Sequence, residues 1–326
     1  MFRFVLRRTV HAVILVFITL TAAFFILRLA PGDPVHRYYS PDIDPRVMET
    51  VRHRLGLDQP LPIQYAKTVR SFLVGDFGVS IHQRRPVSRI LAETIPRTLQ
   101  LTGFALLVQV LLGMGLGMLS ATRRGSPLDR TASVASLVFY SLPSFYFAFL
   151  LVFLFALKLH WLPAAGMFSV HPQTPPVFAD RLRHMILPVT VLAVGSAAAL
   201  ARYARGSLLD VLHEEYIRTA RAKGLSERHV VWKHALRNAA PQLLTVVGLS
   251  VPFLLTGAVV VEKVFGWPGM GSLMVDAIFA RDYPVVLAAS FVSAVMVIAG
   301  NLLADLGYLW VDPRVRSSRY SPAPGG

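Results

Sequence analysis

Six stretches of this chain run for about twenty residues without a charge, at 9–27, 98–121, 134–157, 185–201, 243–261 and 285–304. A helix rises about 1.5 Å per residue and the hydrocarbon core of a bilayer is about 30 Å thick, so each stretch has the length of a transmembrane helix. The fourth is short and Ala-rich. Only helices and closed barrels satisfy their backbone groups in lipid, and runs this long predict helices. As spans they occupy about 9–29, 98–121, 134–157, 185–203, 243–261 and 285–308, in an all-α chain of 326 residues read as one transmembrane domain. Composition agrees: 54% of residues are hydrophobic and 16% charged.

The first span follows Arg3, Arg7 and Arg8. Its apolar run is longer than a secretory signal core of ~7 to 15 residues, and the sequence after it is a poor cleavage site, so an uncleaved anchor is expected. Six spans put both termini on one side. With the N-terminus inside, segments 1–8, 122–131, 205–241 and 311–326 carry 16 Lys and Arg in 71 residues, whereas the outer loops 158–185 and 262–284 carry 5 in 51. The remaining outer loop, 30–97, carries 10 more, but its 68 residues exceed the ~60 over which the positive-inside rule holds. The expected topology is N-in and C-in, with 205–241 in the cytoplasm. The net charge of +15 is then mostly a topology signal; it is scattered over loops on both faces, which argues against a nucleic-acid surface.

Catalytic and cofactor signatures are missing. No G-x-x-x-x-G-K-[ST] phosphate loop occurs, so no ATPase is expected within this chain. Asp76-Phe77-Gly78 lacks the other kinase motifs and reads as a turn. No H-E-x-x-H occurs, and His229 and His234, spaced five, fall off a shared α-helical face. There is no cysteine. Neither metal nor cofactor chemistry is expected here.

Between the fourth and fifth spans, EEYIRTARAKGLSERHVVWKHALRNAAP reads as two amphipathic helices broken at Gly224. Leu208, Leu212 and Tyr216 recur at four-residue spacing, as do Trp232 and Leu236, giving each half an apolar stripe. Gly224 suits the left-handed residue that ends a helix, Leu225 can fold back on Ala220, and Ser226 can cap the next helix. From the residues alone, a connector attracted to anionic membrane lipid and a docking element for a soluble partner both stay open.

TARAKG at 219–224 followed by HALRNAAP at 234–241 resembles the EAA loop of permease subunits in binding-protein-dependent ABC importers, in the dipeptide, oligopeptide and nickel branch. RLAPGDP at 28–34, LGLDQPLPIQY at 55–65, GDFGVS at 75–80, IPRTLQL at 95–101, FGWPGMGSL at 265–273, RDYPVV at 281–286 and NLLADLGYLWVDPRVR at 301–316 are similar to the first permease of such systems. Together they cover nearly the whole chain. The general loop pattern closes with I-x-L-P, where this chain has His234, Ala235, Leu236 and Arg237, with proline only at Pro241. Its opening glutamate is replaced by Arg218, with Glu214 and Glu215 a turn earlier. The peptide branch is similar in both respects, but no salt bridge of the general glutamate carries over.

The resemblance implies the type I importer permease fold in a bacterial inner membrane. The partners it implies are a second homologous permease, two cytoplasmic ATPases that bind ATP and Mg, and an extracytoplasmic solute-binding protein. It also implies that Glu215, Arg218, Thr219, Ala220, Arg221, Lys223, Gly224, Leu225, Ser226 and Leu236 couple the spans to those ATPases, and that di- or oligopeptides are the cargo. Nickel, glutathione or another small solute is the alternative cargo, and a receptor or scaffold that does not transport is the alternative of another class. Within the spans, Asn301 and Asp305 share a face near the inner end of the last one, where a carboxylate is costly unless paired; Arg202 and Arg205 are the expected partners. Pro143 and Pro252 can kink spans and free carbonyls toward a pathway, and Gly113 and Gly117 favour close helix packing.

Overall fold

The computed structural model describes residues 2–29, 58–169 and 177–311, without the side chains of 2–5, 177, 305, 306 and 308–311. The four-residue spacing of Val47, Val51 and Leu55 predicts one face of a helix in the outer loop; these residues lie outside the described ones, as do most of 28–34 and the last residues of the 301–316 motif. Every regular element among the described residues is helical. In chain order they are α1 (Phe2–Leu29), α2 (Leu61–Leu73), α3 (Val87–Thr122), α4 (Pro127–Ser141), α5 (Ser144–Leu151), α6 (Val177–Leu212), α7 (Glu215–Ala222), α8 (Glu227–His229), α9 (Leu236–Val264), α10 (Met270–Phe279) and α11 (Tyr283–Val311). Two π-helical segments, Val152–Lys158 and Val230–Ala235, extend α5 and join α8 to α9.

Five helices are long and apolar enough to cross a bilayer, or six if the bent pair Pro127–Ser141 and Ser144–Lys158 is one span. That pair turns through 105°. The span expected over 134–157 is thus broken at Pro143, one of the two prolines expected to kink a span. The cause is local: proline cannot donate into a helical ladder and disfavours helical geometry in the residue before it. Leu142 accordingly takes an extended φ/ψ of −72°, 126°, and Pro143 starts α5.

The described residues form two compact units. One comprises residues 2–97 and 272–296. In it α1 meets α2 through Phe24 and Tyr65, with ring centroids 5.4 Å apart, and a 2.7 Å hydrogen bond between the Thr21 and Tyr65 hydroxyls. Phe72, Phe77 and Phe291 form an aromatic cluster. Asp282, buried, accepts the Ser80 hydroxyl and the Ile81 and His82 N–H groups, both at 3.0 Å. Two of the sequence motifs, GDFGVS and RDYPVV, thereby close on one another. Asp76 accepts the Gly78 N–H at 2.9 Å and Gly78 has φ +76°, the geometry of a tight turn.

The other unit contains residues 98–271 and 297–311 among those described. Its core joins α3, α5, α6 and α9 through Leu101, Ala148, Leu187, Leu192, Leu254 and Trp267. Small residues set the helix spacing. A Cβ at Gly113 would meet Leu200 at 2.8 Å, and one at Gly117 would meet Ala204 at 2.5 Å, so α3 and α6 approach at the G-x-x-x-G pair. Gly248 against Ala304 and Gly300 against Val251 do the same for α9 and α11.

Two buried carboxylates are paired across these helices. Asp129 in the first turn of α4 takes a two-pronged bond from Arg205, Nε to Oδ1 at 2.7 Å and the second guanidinium nitrogen to Oδ2 at 2.9 Å, and also accepts the Gly125 N–H. Arg205, one of the two expected partners of Asp305, is therefore engaged by Asp129. At the opposite end of α9, Glu262 is fully buried and accepts the Thr98 hydroxyl at 2.6 Å. Thr98 in turn accepts the Met270 N–H at 2.8 Å.

Candidate functional site

Residues 213–236 form a hairpin whose turn is specified by one glycine. At the end of α7, Gly224 has φ +76°; its N–H donates to the Arg221 carbonyl at 2.9 Å, and the Leu225 N–H reaches the Ala220 carbonyl at 3.4 Å. These are the two bonds of the glycine-terminated helix end, which satisfies carbonyls that would otherwise be orphaned. Arg221 then bridges the turn to Glu227, with Nε–Oε2 at 3.1 Å and a second bond of 2.6 Å. That hydrogen bond raises the Arg221 pKa above its ordinary value. Ser226 occupies the start of α8, but its hydroxyl makes no cap bond, contrary to expectation.

One face of the hairpin is buried and the other is bare. Ile217, Ala220, Val230 and Ala235 pack with Ala121 of α3, Ala204 and Leu208 of α6 and Ala239 and Leu243 of α9. Leu236 is partly buried against the same cluster. The buried face of the hairpin thus packs directly against three long helices. Glu215, Arg218, Thr219, Arg221, Lys223, Gly224, Leu225 and Ser226 are all exposed. So are two large apolar side chains, Tyr216 at 42% and Trp232 at 56%.

The expected apolar stripes are corrected here. The helix breaks at His213–Glu214, so the period that carries Leu208 and Leu212 does not reach Tyr216, and Ile217 is the residue of α7 that turns inward. In the second half, the π-helical segment joins a single turn of α8 to the long α9, so no separate second helix forms. The wider π turn also places His229 and His234 together, with ring centroids 5.9 Å apart, where an α-helix would have separated them.

The break at Pro143 opens a second feature, a cavity of about 450 Å³ between the α4–α5 corner, α6 and α9. Its walls are aromatic (Phe139, Tyr140, Phe147, Tyr203, Phe253), with hydroxyls at Ser144, Ser196 and Ser250. Pro143 itself stands between the lining residues Leu142 and Ser144, and Pro252 between the lining residues Ser250 and Phe253. Behind this wall the fully buried Gln109 donates to Ser250 at 2.7 Å, while its Oε1 and the buried Ser196 Oγ have no hydrogen-bond partner. A polar cavity of about 640 Å³ shares Tyr140, Ala199 and Tyr203 with the first and continues along α6 to Arg202, Gly206, Ser207 and Asp210. Asn301 is exposed on α11 and lines neither cavity. The side chain of Asp305 lies outside the described residues. Polar groups left unpaired in a span are costly in lipid and belong where a bundle is wet.

Of the residues that line this cleft, the sequence points only to Arg202, and to Pro143 and Pro252 beside it. Tyr140, Ser196 and Asp210 carry no local signal of their own, and Gln109, the polar residue within an otherwise apolar run, was the available clue. No group of three or more His, Asp or Glu able to hold a metal occurs among the described residues.

The chain matches the family model of binding-protein-dependent transport system inner membrane components over residues 113–317, and the N-terminal model of the same components over residues 1–102. It is 40% identical over 314 residues to the oligopeptide transport system permease protein AppB of Bacillus subtilis, covering 96% of this chain and 98% of that one. To the glutathione transport system permease protein GsiC of Salmonella typhimurium it is 40% identical over 316 residues, 97% of this chain and 99% of the relative. Among solved structures it is similar in fold to the inward-facing MetNI methionine ABC transporter, with a TM-score of 0.55 at 18% identity over 68% of this chain and 96% of that one. An amino acid ABC transporter solved with histidines superposes with a TM-score of 0.51 at 18% identity, over 68% of this chain and 94% of that one.

Proposed function

From its membership of the family of binding-protein-dependent transport system inner membrane components, to which this chain belongs, we propose that it forms half of the translocation pathway for di- and oligopeptides. The observation that carries the cargo class is the 40% identity, over almost the full length of both chains, to an oligopeptide permease. The glutathione permease relative falls within the same class, since glutathione is itself a short peptide.

The whole chain works as one permease domain, N-in and C-in, beside a second homologous permease. Two cytoplasmic ATPases hold the ATP and Mg, and a solute-binding protein delivers cargo from outside. Residues Glu215 to Ser226 seat in a groove of one ATPase: the bare face of the hairpin offers charge and exposed Tyr216, Leu225 and Trp232 to it, while the buried face is keyed into α3, α6 and α9. Exposed aromatic and aliphatic groups of this kind on an otherwise charged element fit a partner surface better than water. Closure of the ATPases moves the hairpin, and the helices around the cleft follow. The cleft lined by the α4–α5 corner, α6 and α9 contributes this subunit's wall of the pathway.

The purified assembly, reconstituted with its binding protein, tests this reading. Its ATP hydrolysis is expected to rise severalfold when peptide-loaded binding protein is added on the outer side, with peptide accumulating inside. Hydrolysis that ignores the loaded binding protein in an intact assembly contradicts it, as does accumulation of no peptide.

A further inference from the structure

We infer that the polar end of the cleft is a binding subsite for the two charged termini of a short peptide, with Arg202 taking the carboxylate and Asp210 the ammonium group. This deepens the pathway reading above and rests on it.

Arg202 and Asp210 line the same cavity of about 640 Å³, and both side chains are exposed to it. Neither has an ion-pair or hydrogen-bond partner for its side chain among the described residues. Their neighbour Arg205 shows the usual fate of a charge on this helix, since it is locked to Asp129. Arg202 and Asp210 thus stand on one cleft wall on either side of the paired Arg205, without partners among the described residues, and opposite charges so placed form a complementary receptor for a zwitterion. Eight residues of α-helix separate the two, about 12 Å along the axis. An extended peptide spans at most about 3.3 to 3.6 Å per residue, so the termini of a peptide of three to four residues match that separation.

The space between them suits a peptide backbone. At Gly206, midway along, no atom lies within 4 Å of the place a Cβ would occupy, so a ligand can run close to the helix. Tyr140 and Tyr203 stand at the junction with the apolar cavity and present both rings and hydroxyls. Beyond them the Ser196 hydroxyl is buried without a partner. Side chains of the peptide then enter the aromatic cavity of about 450 Å³, whose walls accept apolar groups of differing shape. Termini are common to all short peptides and side chains are not, so this division reads length and charge while leaving sequence open.

The test uses the full assembly in nanodiscs, free of nucleotide, with radiolabelled tetra-alanine as probe and its C-terminal amide and N-acetyl form as competitors. Wild type is expected to bind tetra-alanine about tenfold more tightly than either blocked form, the size of effect a charge-assisted hydrogen bond gives. Arg202→Gln is expected to erase the preference for acid over amide and keep that for amine over acetyl. Asp210→Asn is expected to do the reverse, so each variant carries its own control for folding. Unchanged preferences in both variants overturn the subsite, as does equal binding of free and blocked peptides by wild type, the result expected if a second permease seals this cleft. ATP-driven uptake of tetra-alanine into proteoliposomes separates the two readings. Uptake by wild type with unaltered preferences in the variants removes the subsite alone, whereas an assembly that neither binds nor imports tetra-alanine removes the peptide pathway with it.

Discussion

Replacing Gly224 with valine is expected to leave an inserted, well-expressed protein that no longer imports. At φ +76° this residue sits in the left-handed region, which costs an L-amino acid about 1 to 2 kcal/mol and is an outlier for a β-branched side chain. No atom lies within 4 Å of the Cβ position, so the cost comes from the backbone itself and no neighbour can relieve it by moving. The hairpin relaxes by giving up the Gly224 and Leu225 bonds to the Arg221 and Ala220 carbonyls, which re-aims α8 and loosens the Arg221–Glu227 bridge. The spans do not depend on that turn. Uptake is expected to fall more than about tenfold, since each 1.4 kcal/mol lost from docking is a factor of ten. Gly224→Asn, which tolerates left-handed geometry, is expected to retain most of the transport. Valine-variant protein importing at the wild-type rate would show that the turn geometry carries no coupling.

The second large effect is on stability, at Gly269 in FGWPGMGSL. A Cβ there would lie 2.1 Å from Glu262 Oε1, 2.4 Å from its Cδ and 2.5 Å from the Thr98 hydroxyl. Glu262 has no solvent to retreat into, since it is fully buried. Gly269→Ala therefore forces Glu262 and Thr98 apart in a tightly packed core, at about 1 to 3 kcal/mol for the overpacking and a similar amount for the lost buried hydrogen bond. The midpoint of thermal unfolding in detergent is expected to drop by roughly 10 °C. An unchanged midpoint would mean that the site makes room for a methyl group at no cost.

What the chain discloses before folding follows from the range of the forces involved. Lipid requires uncharged runs of fixed length, so the six apolar stretches are legible one by one. The bend at Pro143 is legible as an interruption, because proline acts on its own helix. Its size, 105°, depends on where Ala148 and Leu151 of α5 find a core among residues of α6 and α9. Gly224 is legible for the same local reason as Pro143. Tyr216 was misplaced because the period of α6 was carried across a break at Glu214, and the second hairpin helix because nothing local distinguishes a π turn from an α turn over 230–235. The pairs Asp129–Arg205, Thr98–Glu262 and Ser80–Asp282 join residues 76, 164 and 202 positions apart, and a single sequence does not encode who meets whom at that range. The cleft that holds Tyr140, Arg202 and Asp210 likewise joins α4 to a helix about sixty residues further along the chain.

Crosslinking at the tip of the hairpin tests the coupling most directly. In an otherwise cysteine-free chain, Leu225→Cys and Ser226→Cys each place a single thiol on the exposed turn, Leu225 being 37% accessible. In the assembled transporter either thiol is expected to form a short-reach crosslink to a cysteine placed in the groove of a cytoplasmic ATPase, with a yield that changes between the nucleotide-free and ATP-bound states. No crosslink to either ATPase in any nucleotide state, in an assembly that still imports, would contradict the account and return the hairpin to the membrane surface.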